Sequence, residues 1–214
     1  ITLDPQLRYR ADRVCYHPRH VFFRAFPRWF DLIRHLDERP GDLAGAPDAE
    51  ATADVAGKLL KHGLAVESER ALPTRQKRPM PELADGVLAP LDAEIYPTYR
   101  CNHACPFCSA GDKRDRLGAS GDLPREWIAP IAEKLDEAGL FVVGVVGGEP
   151  FLYAPLEELV EALISRGMHV FLTTNGTAPP ERIAAVYRPG VHLGISLQGD
   201  GPEENDALVG RPGS

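Results

Sequence analysis

Cysteine is scarce in this sequence: there are four in 214 residues, and three of them lie between positions 101 and 108. A fold held together by disulfides needs several well-separated cysteine pairs, whereas crowding of this kind is typical of metal ligation. The sequence therefore argues against a disulfide framework. We expect a reducing, cytoplasmic location.

Long apolar runs and an excess of basic residues are also missing. The longest apolar stretch, Leu140 to Val146, is far below the roughly 20 residues that cross a bilayer, and no basic-then-apolar signal peptide follows Ile1. Asp and Glu number 31 against 24 Lys and Arg, which gives a formal net charge of −7. Because nucleic acids are bound by basic faces, we expect neither a nucleic-acid nor a membrane partner.

The length and the 43% hydrophobic content suffice for one large or two small domains. Residues 1–70 predict a small α+β domain of winged-helix type, followed by a proline-rich, basic linker over residues 71–90. The pattern within the small domain indicates strands at Leu7–Arg10 and Val21–Phe26, a turn at His17–His20, a helix from Pro27 with Trp29, Ile33 and Leu36 on one face, and a helix at Ala49–His62.

Residues 91–214 alternate short apolar segments with amphipathic ones. This pattern predicts an α/β fold in which parallel strands are joined by helical crossovers. The predicted strands are Ala93–Tyr96, Phe141–Val146, His169–Thr173 and His192–Leu197. The predicted helices are Pro124–Ala138, with Trp127, Ile131 and Leu135 on its inner face, Pro155–Arg166 and Pro180–Tyr187.

A C-x3-C-x2-C loop, formed by Cys101, Cys105 and Cys108, follows the first of these strands. Three thiolates can hold three irons of a [4Fe-4S] cluster and leave the fourth iron without a protein ligand. The alternative is a zinc site, in which Cys15 or His103 would be a fourth ligand. In a cluster site the three thiolates suffice, so we expect His103 to face solvent or substrate.

Three further motifs lie at or near the carboxyl ends of the later strands: Gly147-Gly148-Glu149-Pro150, Thr173-Thr174-Asn175-Gly176 and Ser196-Leu197-Gln198. Taken singly, a Gly-Gly pair or an Asn-Gly pair indicates only a tight turn. Their shared position is more informative, because ligand sites of parallel-sheet folds gather at the carboxyl ends of the strands.

The cysteine loop, with Phe107 before its last cysteine, and the three later motifs in this order resemble the radical S-adenosylmethionine (AdoMet) superfamily. The resemblance implies the N-terminal half of a partial (β/α)6 barrel, since four of six expected strand-helix units precede Ser214, and we expect the chain to be truncated there. It implies a [4Fe-4S] cluster on Cys101, Cys105 and Cys108. It also implies AdoMet contacts from Phe107, Gly147, Gly148, Glu149, Thr174, Asn175, Ser196 and Gln198.

The residues from Ile195 to Ser214 resemble the peptide-modifying branch that includes the pyrroloquinoline quinone maturase. Most relatives carry Asp where this chain has Gln198, but the maturase type tolerates Gln. Residues 1–70 resemble the RiPP recognition element, a domain that binds the leader of a ribosomally made precursor peptide by strand addition. The resemblance thus implies cleavage of AdoMet to a 5'-deoxyadenosyl radical, which abstracts hydrogen from a precursor peptide.

The same resemblance implies an electron donor, such as a flavodoxin or ferredoxin, and auxiliary iron-sulfur clusters in a further C-terminal region. Two alternatives stay open at this point. One is radical AdoMet chemistry on a small molecule, and the other is a metal-containing winged-helix regulator. The predicted helix Ala49–His62 mixes acidic with basic residues, which is not the basic face that a DNA-reading helix needs.

Overall fold

A computed structural model describes residues 1–68, 77–80 and 90–214, so most of the predicted linker at 71–90 lies outside the described residues. The chain divides into two compact units, Ile1–Ala89 and Pro90–Ser214. Each unit has its own hydrophobic core.

The N-terminal unit combines short antiparallel strands with two helices. A pair of two-residue strands joins its ends, and a three-stranded meander precedes the helices. The elements are β1 (Thr2–Leu3), β2 (Arg8–Tyr9), β3 (Val14–His17), β4 (Val21–Arg24), α1 (Pro27–Glu38), α2 (Ala49–Lys61) and β5 (Ala65–Val66), with β1 paired to β5 and β3 between β2 and β4.

Both helices of this unit begin where the sequence indicates. Pro27 opens α1, and the Asp48 side chain caps α2 by accepting a hydrogen bond from the backbone N–H of Ala51. Ile33 and Leu36 are fully buried, as their helical spacing predicts. The sequence pattern did not predict β1, β3 or β5. Assignment of these elements to a winged-helix-like domain stays a prediction.

The C-terminal unit has a four-stranded sheet with the order β6-β7-β8-β9, and every neighbouring pair is parallel. The predicted α/β fold with a parallel sheet is confirmed. Its elements are β6 (Asp92–Ile95), α3 (Gly111–Leu117), α4 (Ile128–Glu137), β7 (Val142–Val145), α5 (Leu156–Ile164), β8 (His169–Thr174), α6 (Pro180–Val186), β9 (Val191–Ile195) and α7 (Pro202–Val209).

The core of this unit lies on one face of the sheet, where apolar strand positions meet the apolar sides of the helices. Val143, Val145 and Leu172 are fully buried there, together with Leu159 and Leu163 of α5. Alternation along each strand places another cross-strand row, Glu94, Gly144, Phe171 and His192, on the opposite face. Within the described ranges, no helix is both long and apolar enough to span a bilayer.

Two expectations from the sequence are wrong in this unit. Trp127 does not lie on the inner face of α4, because it is 59% exposed. It belongs to a 3-10 turn, Arg125–Trp127, that precedes the helix, so its side chain does not follow the α-helical spacing. Ile128 and Ala132 are buried instead. The fourth strand ends at Ile195, so the Ser196–Gln198 motif follows the strand rather than lying in it.

Candidate functional site

The loop that carries Cys101, Cys105 and Cys108 follows β6 at the carboxyl edge of the parallel sheet. All three cysteines are free and partly exposed. The backbone N–H of Cys108 donates to the carbonyl of Cys105 at 3.2 Å, which closes a tight turn between the last two cysteines. Phe107 lies in this turn and is 56% exposed. The turn brings the last two cysteines of the motif together.

The first connection of this loop is to the segment that follows β7. The N–H groups of Gly148 and Glu149 donate to the carbonyls of Thr98 and Arg100, at 2.9 and 2.7 Å. These bonds continue the pairing of β6 with β7 beyond the ends of both strands. Gly147 has a φ of +122°, and a Cβ placed on Gly148 would lie 2.1 Å from the carbonyl oxygen of Arg100. Both positions therefore require glycine.

The second connection is a ring of side-chain hydrogen bonds to the segment that follows β8. Asn175 Nδ2 donates to Asn102 Oδ1, Asn102 Nδ2 donates to Thr177 Oγ1, and Thr177 Oγ1 donates to Asn175 Oδ1, each at 2.7 Å. Asn175 Nδ2 also lies 3.9 Å from the sulfur of Cys101. The ring fixes the residue that directly follows the first cysteine.

The third connection is to the end of α7. The N–H of Ala104 donates to the carbonyl of Val209 at 2.8 Å, and Gly210 ends the helix in the left-handed conformation with a φ of +66°. The cysteine loop is thus bonded to the segments that follow β7 and β8 and to the end of α7. The four motif regions that the sequence singled out lie together at one edge of the sheet.

His103 is buried in this arrangement, with 6% of the residue exposed. Of the expectation that it faces solvent or substrate, the solvent part is wrong, because the loop packs against the end of α7. Burial lowers the pKa of His103, and the charge of Arg211 lowers it further. Within the described part of the chain its Nε2 atom has no hydrogen-bond partner.

Glu149 connects the segments that follow β7 and β8 and is 1% exposed. Its Oε1 accepts hydrogen bonds from the N–H of Phe151 at 3.1 Å and from the hydroxyl of Thr174 at 2.8 Å, while Oε2 accepts from the N–H of Asn175 at 2.8 Å. Three donors satisfy a carboxylate that would otherwise be costly to bury. The Thr174 hydroxyl also accepts a hydrogen bond from the N–H of Gly176 at 3.1 Å, so it both donates and accepts within the protein.

The Ser196–Gln198 motif reaches the same edge from β9. The N–H of Ser196 donates to the carbonyl of Thr174 at 2.9 Å, which extends the β8-β9 pairing by one bond. The N–H of Gln198 donates to Asn205 Oδ1 at 3.1 Å, and the residue itself is exposed. Among the described residues, the side chains of Ser196 and Gln198 make none of the hydrogen bonds that connect the other loops.

The chemistry of the donors fits an iron-sulfur cluster. Burial raises the pKa of the Cys101 thiol, and Glu149 and the two other cysteines add to this shift; bound iron would supply the positive charge that favours the thiolate. Among the described residues, no three His, Cys, Asp or Glu side chains converge to hold one metal ion. A cubane cluster does not need such convergence, because each thiolate binds a different iron.

Two residues next to Cys101 contribute to the site and were not predicted from the sequence. Arg100 precedes it and is bonded through its carbonyl to Glu149, and Asn102 follows it in the hydrogen-bonded ring. Both residues could have been predicted from their position next to Cys101, because residues that flank a ligand share its loop. Their hydrogen-bond partners could not have been predicted from the sequence.

Comparison with known proteins agrees with this arrangement. Residues 95–214 match the model of the Radical SAM superfamily, which is more than half of the chain. The chain belongs to the radical SAM superfamily. A [4Fe-4S] cluster and AdoMet are the cofactors that this membership implies, and the predicted membership of the superfamily is confirmed.

The chain is similar in sequence to parts of several curated proteins. Over 113 residues the chain is 33% identical to the mycofactocin maturase MftC of Mycolicibacterium smegmatis, covering 50% of this chain and 28% of that protein. Over 93 residues it is 31% identical to the 7-carboxy-7-deazaguanine synthase of Aquifex aeolicus, covering 44% of this chain and 40% of that protein. The chain thus matches well under half the length of these relatives.

Solved structures show the same fold. Streptococcus suis SuiB bound to S-adenosylmethionine matches 99% of this chain and 51% of that chain, with a TM-score of 0.60 and 15% identity. The same protein bound to the precursor peptide SuiA matches with a TM-score of 0.58 and 17% identity. At these identities the matches show the fold alone.

Proposed function

We propose that this chain belongs to an enzyme that cleaves AdoMet reductively and abstracts hydrogen from a ribosomally made precursor peptide. The observation that carries the proposal is the bonding of the cysteine loop to the segments that follow β7 and β8 and to the end of α7. It supports the proposal because the segments after β7 and β8 are among those that, by family resemblance, hold AdoMet. In this proposal, β6 to β9 are the first four strands of a (β/α)6 barrel.

Each site residue has a proposed role. Cys101, Cys105 and Cys108 hold three irons of the cluster. The backbone of Gly147–Glu149 approaches the AdoMet amino group, because glycine allows close contact. Thr174 and Asn175 shape the loop next to the ribose and carboxylate. The remaining proposed AdoMet contacts are Phe107, Ser196 and Gln198.

The protein's own contribution is positioning. When bound, the cluster supplies low-potential electron transfer to the AdoMet sulfonium, with the electron coming from a flavodoxin or ferredoxin. The buried Glu149 and the Asn102–Asn175–Thr177 ring fix the loops around the cysteines before any ligand arrives. As with other cofactor enzymes, fixed loops orient the reactive atoms while the cofactor performs the difficult step.

The N-terminal unit offers an edge for peptide binding by strand addition. The edge of β2 is taken by the chain itself, since the N–H of Arg78 donates to the carbonyl of Tyr9 at 2.7 Å. Among the described residues, β4 pairs only with β3, so its other edge has no partner strand. We propose residues 1–70 as the domain that binds the leader peptide at β4.

The pairing register identifies the donors on this edge. The N–H of Ala25 donates to the carbonyl of Arg13, which fixes the alternation of bonded positions along β3 and β4. By that alternation, the N–H group of Arg24 points away from β3. A backbone bond from this group would contribute affinity for an added strand.

A small-molecule substrate is the second candidate. The similarity to a 7-carboxy-7-deazaguanine synthase favours it, because the name of that relative refers to a small molecule and not to a peptide. The two candidates differ in a simple way. A peptide-modifying enzyme releases 5'-deoxyadenosine faster when its peptide is present, and the peptide changes mass.

The test uses the full-length gene product, reconstituted with iron and sulfide under anaerobic conditions and supplied with reduced flavodoxin. The probe is the synthetic peptide of a short reading frame beside the gene. We expect 5'-deoxyadenosine, methionine and a modified peptide by mass spectrometry, and none of them from the Cys101→Ala, Cys105→Ala, Cys108→Ala variant. AdoMet cleavage that the peptide neither accelerates nor couples to its own modification would favour the small-molecule candidate.

The β4 edge is tested in the same preparation. Arg24→Pro removes one outward N–H from an edge strand, a position that tolerates proline, and Arg24→Ala is the matched control. We expect Arg24→Pro to weaken binding of the fluorescein-labelled peptide about tenfold, as one or two backbone hydrogen bonds would predict. Equal binding by both variants would place the peptide elsewhere.

A further inference from the structure

Asp122 lies outside every motif that the sequence indicated. It follows the 3-10 turn Gly118–Gly121 and precedes α4, and its side chain is 25% exposed. Despite that location, its carboxylate is bonded to the segment that leads from β6 into the cysteine loop. The contacts of Asp122 therefore bear on the position of Cys101.

Arg100 is the main partner of this carboxylate. Its Nε donates to Asp122 Oδ1 at 3.2 Å and its Nη2 donates to Asp122 Oδ2 at 2.7 Å, which is the bidentate geometry of a strong ion pair. The Thr98 hydroxyl donates to Asp122 Oδ1 at 2.6 Å and accepts from the N–H of Arg100 at 3.0 Å. Thr98 is fully buried. Three groups just before Cys101 are thus held by one acid.

The same arginine reaches the segment after β7. Its Nη2 donates to the carbonyl of Leu152 at 2.5 Å, and its own carbonyl accepts from the N–H of Glu149 at 2.7 Å. Arg100 therefore touches the Gly147–Leu152 segment twice, once through its side chain and once through its backbone. The two contacts connect the orientation of the guanidinium to the position of that segment.

We propose that Asp122 is a positioning residue which, through Arg100 and Thr98, sets the spacing between the cysteine loop and the Gly147–Leu152 segment. The inference rests on the proposed function, since it gives Asp122 a role at the AdoMet site. It acts on AdoMet binding rather than on cluster assembly, because the cysteine loop beyond Arg100 is also held by the hydrogen bonds of Asn102 and Ala104. Partners that orient a site in this way typically contribute 10–100-fold to its affinity or activity.

The test compares AdoMet binding with cluster content in the reconstituted full-length protein. Asp122→Asn keeps the shape of the side chain and removes its charge. We expect unchanged iron content and an unchanged electron paramagnetic resonance signal of the reduced protein without AdoMet. The AdoMet concentration that produces half of the spectral change should rise about 10–100-fold, and equilibrium dialysis with labelled AdoMet should show the same shift.

Glu161→Gln is the matched control. It breaks another acid-arginine pair, the single contact of Glu161 with Arg188, which lies just before β9 at the amino-terminal edge of the sheet. We expect its AdoMet response to match that of the unmodified protein. A shift as large as that of Asp122→Asn would show that the effect comes from general destabilisation and would overturn the proposal.

Arg100→Gln and the double variant with Asp122→Asn test the route of the effect. If Asp122 acts through Arg100, the double variant is no worse than either single variant. Additive effects, an unchanged AdoMet response in Asp122→Asn, or loss of the cluster in both single variants would each contradict the proposal. If the unmodified protein binds a cluster but does not respond to AdoMet, the proposed function fails with it, whereas a difference confined to the variants concerns Asp122 alone.

Discussion

Glu149 shows, at the scale of a single residue, how the site is held together. The carboxylate is almost completely buried, yet three donors from two different segments point at its oxygens. The family resemblance implied an AdoMet contact for this residue, and the structure shows its carboxylate bonded to the segment after β8. Its neighbours Thr174 and Asn175 depend on it for their positions.

Glu149→Gln should destabilise the C-terminal unit. One acceptor oxygen becomes an NH2 group, which faces a backbone N–H and cannot accept its bond. We expect a loss of about 2 kcal/mol in the free energy of unfolding, the usual cost of a buried donor left without a partner. Urea unfolding in a Trp29→Phe background measures it, because Trp127 is then the one tryptophan left.

Glu157→Gln provides the comparison for this substitution. Glu157 is exposed on α5, and surface substitutions of this kind usually change stability by less than about 0.5 kcal/mol. A loss of less than 0.5 kcal/mol in Glu149→Gln as well would contradict the role assigned to the buried carboxylate.

His103 and Trp127 show why residue-level predictions were incomplete. Both depend on neighbours that are distant in sequence or on a local change of helix type. The burial of His103 follows from its loop packing against the end of α7, about a hundred residues later in the chain. The exposure of Trp127 follows from a single 3-10 turn before α4. Periodicity within one segment carries neither piece of information.

At the scale of elements, the feature that shapes the site is strand pairing that continues past the strand ends. The β6-β7 pairing extends through the bonds of Gly148 and Glu149 to Thr98 and Arg100. These bonds bring the two segments so close that a side chain at position 148 would collide with backbone atoms. The glycine pair is therefore explained by contact with the cysteine loop as well as by turn geometry.

Gly148→Ala should force the two segments apart. The added Cβ would lie 2.1 Å from a carbonyl oxygen, a backbone atom that cannot rotate away. We expect a loss of about 1–3 kcal/mol, the typical cost of overpacking, by the same Trp127 unfolding measurement.

Gly111→Ala is the control for this change. A Cβ at Gly111, the first residue of α3, meets nothing within 4 Å. Alanine there should leave stability unchanged or raise it slightly, since glycine costs entropy in a helix. Equal behaviour of the two alanine variants would mean that the close approach at Gly148 is not what the site requires.

The elements that the sequence predicted well are those with long, strongly patterned segments. The four strands of the parallel sheet and the helices α1, α2, α4, α5 and α6 were each indicated by apolar runs or helical spacing. The two-residue strands β1 and β5 are too short to show a pattern. The helices α3 and α7 are largely polar, so their residues show no apolar face that would predict a helix.

At the scale of the whole molecule, motif order was the strongest predictor. Four short motifs, spread over about a hundred residues, come together because parallel strands bring their carboxyl ends to one edge. Their order indicated the superfamily, and the match of residues 95–214 confirms it. The hydrogen bonds that connect them could not be predicted, because they join side chains that no local pattern relates.

The most direct test of the account is electron paramagnetic resonance of the reconstituted, dithionite-reduced, full-length protein with and without AdoMet. The account predicts the signal of a reduced [4Fe-4S] cluster that changes when AdoMet is added. Replacement of Cys101, Cys105 and Cys108 by alanine should abolish it. A protein that takes up zinc instead of iron, or a cluster signal that AdoMet leaves unchanged, would contradict the assignment of an open iron at this loop.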